Sequence, residues 1–155
     1  MHPNIISLVI FMFVLSFAPG PNNYLASYSA FNFGIKKTFP LMLGVIIGFT
    51  TMVAVFNFGL IATFNQFPII QNIIKILGSF FLLYLAYKIA FASSKQSIVK
   101  NPVSFIHTFF FQFINPKGLL AAIVAISTFV EGGDYFLRDT FWVIFVSFFF
   151  AVFSI

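Results

Sequence analysis

A Pro-Gly-Pro triplet inside a long apolar run constrains this chain more than any other feature. The run extends from Ile5 to Phe33, and the stretch Phe17-Ala18-Pro19-Gly20-Pro21-Asn22-Asn23 interrupts it where a membrane-spanning helix would otherwise continue. Pro19 and Pro21 carry no N–H, which frees the carbonyls of Leu15 and Phe17. Within a bilayer such groups are tolerated only where protein buries them or a water-filled cavity receives them. A broken helix at membrane depth is therefore a candidate binding site. One break alone reads equally well as a proline kink without a ligand. A second break, Asn115-Pro116-Lys117-Gly118, tips the reading towards a site.

Composition sets the class. The chain is 61% hydrophobic and 7% charged, against roughly 25% charged residues in a soluble domain. With a mean hydropathy of +1.06, it reads as an all-α integral membrane protein in contact with lipid. The net charge of +5 comes from loop lysines, so it reports orientation and not nucleic-acid binding. Cysteine is absent, which excludes disulfides and thiolate metal sites. Phenylalanine is abundant at 27 residues, and no function follows from that number.

The apolar runs predict about five transmembrane helices. Met1 to Asn4 hold no Lys or Arg, unlike the basic start of a cleaved signal peptide. Segment one, Ile5–Phe33, has 29 residues, long for a span of about 20. That length suits two half-helices. Gly34-Ile35-Lys36-Lys37-Thr38 reads as a basic loop, and Pro40 as the start of segment two, which runs to about Ala62. Gly44 and Gly48 in segment two form a GxxxG packing face. Segment three covers Ile69 to Ala92, followed by a basic loop with Lys95 and Lys100. Segment four, Val103 to Val130, contains the second break. Segment five is expected from Phe141 to Ile155, only 15 residues, or about 22 Å against a core of about 30 Å. Lysines cluster after segments one and three, which predicts those loops in the cytoplasm and the amino terminus outside.

Pro21 and Pro116 are 95 residues apart, each in the first helix of a three-helix unit. Three is odd, so the second unit would enter the membrane inverted. The expected organisation is a first repeat over 1–92, a cytoplasmic loop over 93–102, and a second repeat over 103–155. That second repeat lacks its last helix and reads as truncated.

At each break the chemistry is that of an anion site. Asn115 is a good N-cap and Pro116 fits the first helical position, which places Lys117 in the first turn. Gly20, Pro21, Asn22 and Asn23 repeat the arrangement. Free N–H groups and the positive ends of half-helices attract a carboxylate, and Lys117 adds a full charge. The candidate substrate-binding residues are Pro19, Gly20, Pro21, Asn22, Asn23, Asn115, Pro116 and Lys117. The ammonium of an amino acid would turn to the carbonyls of Leu15, Phe17 and Gln112. The plainer alternative is that Lys117 caps carbonyls and does nothing else. Asn57, Thr50, Thr51, Gln112 and Ser127 are less specific, since single polar residues commonly join helix to helix. No nucleophile–base pair, metal cluster or phosphate loop is present, so neither an enzyme nor a cofactor is expected. The sequence is compatible with a homo-oligomer.

At these residues the chain resembles the LysE/RhtB family of bacterial amino-acid exporters. Pro19-Gly20-Pro21-Asn22 resembles its first-helix signature and Phe113-Ile114-Asn115-Pro116-Lys117 its fourth. Leu77-Gly78 and Leu82-Leu83-Tyr84-Leu85 resemble the third helix. Asn22-Asn23, with 101–105 and 127–130, is most similar to the cysteine/O-acetylserine exporter branch. The resemblance implies six helices, location in the bacterial inner membrane, and proton-gradient-driven export of a small-molecule amino acid or derivative. The alternative is a truncated, non-transporting fragment of such a protein.

Overall fold

The computed structural model describes residues 4–67, 102–131 and 133–155, with isolated helical positions at 69, 73, 76 and 80. Most of segment three and its following loop, with Lys75, Lys88, Lys95 and Lys100, lie outside the described residues. Those residues hold six α-helices and a 3-10 turn, and no strand. The helices are α1 (Ile5–Phe17), α2 (Pro21–Phe33), α3 (Ile35–Gln66), α4 (Phe105–Phe111), α5 (Pro116–Phe129) and α6 (Phe136–Phe153).

Both predicted breaks are present. α1 and α2 meet at a bend of 49°, and α4 and α5 at 53°. Two further spans, Ile35–Gly59 and Gly133–Phe153, are long and apolar enough to cross a bilayer by themselves. Counting each bent pair as one span gives up to four among the described residues.

Two boundaries differ from the sequence expectation. The 34–38 stretch is not a loop: α3 starts at Ile35, and Lys36 and Lys37 occupy its first turn. Gly34, at φ 82°, absorbs the reversal between α2 and α3 in a conformation that glycine favours. The Thr38 hydroxyl bonds back to the Gly34 carbonyl at 3.0 Å, which holds the first turn ahead of Pro40. The last helix is also longer than expected, starting at Phe136 and not Phe141. Arg138 and Asp139 do not stop it because each neutralises the other, with Nε and Nη2 of Arg138 both 2.8 Å from Asp139 Oδ1. Its 18 residues span about 27 Å at 1.5 Å per residue, so the half-span expectation is corrected.

The main core gathers α1, α3, α5 and α6 around Leu8, Met12, Met52, Val53, Ala125 and Val143. The GxxxG face of α3 packs on α4, as its spacing predicts. A Cβ on Gly48 would lie 2.7 Å from the Phe109 carbonyl oxygen. The Thr108 hydroxyl donates to the Leu41 carbonyl at 3.1 Å across the same contact. α2 is fixed to α3 by the buried Ser29–Thr38 hydroxyl pair at 2.9 Å. This packing sets the two helix breaks face to face.

Candidate functional site

Each break is built by its own residues. α1 ends because Ala18 precedes a proline and is pushed to extended backbone, φ −63° and ψ 132°. α2 then starts at Pro21 with Gly20 as an N-cap that offers no side chain. The N–H groups of Asn22 and Asn23 have neither a capping side chain nor a partner among the described residues. At the second break Asn115 caps α5, its Oδ1 accepting from the Lys117 N–H at 3.2 Å. Pro116 follows at the first helical position.

Side chains join the two breaks. Lys117 Nζ donates a hydrogen bond to the Ala18 carbonyl, at the C-terminal end of α1. Gly20 makes room for it, since a Cβ there would lie 2.9 Å from Lys117 Cδ. Asn22 and Gln112 exchange amide hydrogen bonds at 2.8 and 3.2 Å. Gln112 is fully buried and donates also to the Thr108 carbonyl at 2.9 Å. Asn23 Nδ2 donates to the backbone carbonyl of Ser154 at 2.9 Å, tying the break to the end of α6.

Between the breaks lies a cavity of about 60 Å³, several times the roughly 10–15 Å³ that one water needs. Gly20, Pro21, Asn22, Asn23, Asn115 and Lys117 line it. Pro19 and Pro116 do not; both are exposed and shape the breaks from outside. Among the described residues the lining holds one charged group, Lys117, beside the uncapped start of α2. Such a pole accepts an anion. Unbonded N–H groups at membrane depth make a ligand there favourable. The described residues contain no cluster of His, Cys, Asp or Glu that could hold a metal.

Three features escaped the sequence. Lys117 donates to the Ala18 carbonyl, and of the three carbonyls expected for the substrate ammonium, that of Gln112 takes the Asn115 N–H at 3.3 Å. Gln112 itself, a merely polar residue by sequence, holds Asn22 in place. Ser16, Phe49 and Ser154 complete the wall. Ser16 stands one turn before Gly20, and that spacing was the available signal.

Residues 13–155 match the family described as LysE type translocator. The chain belongs to the LysE family. It is a membrane protein and a translocator. Curated proteins similar to this LysE-family chain include the cysteine/O-acetylserine efflux proteins of Escherichia coli (strain K12) and Shigella sonnei (strain Ss046). Each is 31% identical over 135 residues, which cover 84% of this chain and 68% of the relative. No solved structure matches.

Proposed function

We propose that this LysE-family translocator exports an amino acid or derivative, of the cysteine and O-acetylserine class, across the bacterial inner membrane. One observation carries the reading: an ammonium, Lys117, and the uncapped start of α2 share one cavity between two helix breaks. A carboxylate suits that pole. The substrate ammonium suits side-chain oxygens such as those of Asn23 and Ser16, two residues that line the same cavity. Pro19 and Pro116 fix the breaks, and Gly20, Pro21, Asn22 and Asn115 shape the walls. The names of the efflux relatives support a small, polar amino acid.

The two bent spans, of 49° and 53°, support reading 1–92 and 103–155 as inverted repeats joined by a cytoplasmic loop over 93–102. The amino terminus then lies outside. The test is efflux from proteoliposomes loaded with labelled cysteine or O-acetylserine under an imposed proton gradient. Saturable efflux above protein-free vesicles is expected. Efflux no faster than from empty vesicles, for both compounds, rejects the reading.

A further inference from the structure

Beyond the cavity, a line of polar groups runs along the α3–α6 interface. Thr140 and Ser147, both buried on α6, and the half-buried Ser154 that caps its end recur every seven residues. Seven residues return to nearly the same helix face and rise about 10.5 Å, so the line covers about 21 Å. Its Ser154 end lines the cavity. At its other end Asn57 of α3 donates to the Thr140 hydroxyl at 2.7 Å. One residue further on, Arg138 holds Asp139 and lies 4.4 Å over the Tyr135 ring.

Small polar residues on a membrane helix ordinarily bond to a neighbouring helix. These do so only in part. Asn57 Oδ1 and Ser147 Oγ are buried and have no hydrogen-bond partner among the described residues. Both side chains are fully buried, Asn57 on α3 and Ser147 on α6. An acceptor and a hydroxyl held apart from water and from each other leave the interface worse than an apolar pair would. Packing along it among the described residues is also incomplete. Thr50 of α3 and Phe141, Ile144, Phe145 and Phe148 of α6 leave a groove of about 290 Å³ beside the line.

We propose that the α3–α6 interface is the passage by which substrate leaves the cavity, with Ser147 and Asn57 as its polar steps. The inference rests on the amino-acid export reading above. The passing ligand is a zwitterion. Asn57 Oδ1 accepts from its ammonium, and Ser147 Oγ bonds either end. Val53 and Val143, both fully buried, close the interface in this state, so α3 and α6 part to open it.

The experiment uses the full chain in proteoliposomes, comparing cysteine efflux by the parent, Ser147→Ala and Asn57→Leu. Cysteine binding is read separately as the rise in unfolding temperature in detergent. A merely structural hydroxyl predicts that Ser147→Ala exports as the parent does. A passage predicts a maximal efflux rate about tenfold lower, with binding unchanged and thermal stability at least parental. Asn57→Leu is expected to slow efflux as well, but it breaks the bond to Thr140, so Ser147→Ala decides. Parental efflux by Ser147→Ala overturns the passage. Loss of cysteine binding in that variant also overturns it, because the hydroxyl would then act at the cavity. A parent that neither binds nor exports cysteine or O-acetylserine rejects the export reading itself.

Discussion

Lys117 Nζ donates to the Ala18 carbonyl, a contact between residues 99 positions apart that links the two helix breaks. The same ammonium thus caps the end of α1 and faces the cavity. Both uses follow from one geometry, because Gly20 leaves the space through which the side chain passes.

Removing that charge tests the site. Lys117→Met is expected to cost a charge-assisted hydrogen bond to the substrate, about 1.5–3 kcal/mol, or roughly ten- to a hundredfold in apparent affinity. Lys117→Arg keeps the charge but changes its shape, so partial activity is expected. Export by each variant is compared with the parent at matched protein level. Parental export by the Met variant makes Lys117 structural.

Gly20→Ala acts through the same lysine. Gly20 is extended, at φ −161° and ψ 173°, so an alanine there meets no backbone strain. Its Cβ would instead lie 2.9 Å from Lys117 Cδ and 3.1 Å from Nζ. The flexible side chain swings off Ala18 and the helices stay in place. About 1 kcal/mol, or roughly fivefold in affinity, is the expected loss. In the Lys117→Met background the same change should do little. An equal loss in both backgrounds refutes the coupling.

Gly48 should respond differently. Its Cβ would meet the Phe109 carbonyl oxygen at 2.7 Å and Cα at 2.9 Å. Those are backbone atoms, so α3 and α4 must separate. Gly48→Ala is expected to destabilise by about 1–3 kcal/mol, read as a lower unfolding temperature in detergent. Gly59→Ala is the control. Among the described residues nothing lies within 4 Å of a Cβ built there, and up to about 1 kcal/mol of stabilisation is expected from helix propensity. Equal effects at the two glycines would contradict the close approach.

Orientation is tested by single cysteines in this cysteine-free chain. The Phe58–Phe136 ring contact, 5.8 Å between centroids, puts the end of α3 and the start of α6 on one side. Cysteines at Gln66 and Gly133 should therefore be labelled together from outside. One at Ser94, in the predicted basic loop, should be protected. The reverse pattern inverts the topology.

The sequence alone located both helix breaks, the GxxxG face and the Asn115-capped start of α5. These depend on local covalent facts: proline has no N–H, glycine has no Cβ, and Asn115 stands two residues before the Lys117 N–H it caps. Residues acting on near neighbours are legible without coordinates. The sequence also predicted a loop at Gly34 to Thr38 and a helix start near Phe141. Both differ from the fold because charged residues near a membrane surface continue a helix when paired or exposed at its first turn. Tertiary structure decided otherwise, pairing Arg138 with Asp139 and drawing Lys36 and Lys37 into a helix turn. Only the fold could choose Ala18 as the partner of Lys117, or match Asn22 to Gln112 across 90 positions. A freed carbonyl or an amide in a span must find a partner, but packing between distant helices determines which one lies within hydrogen-bonding reach.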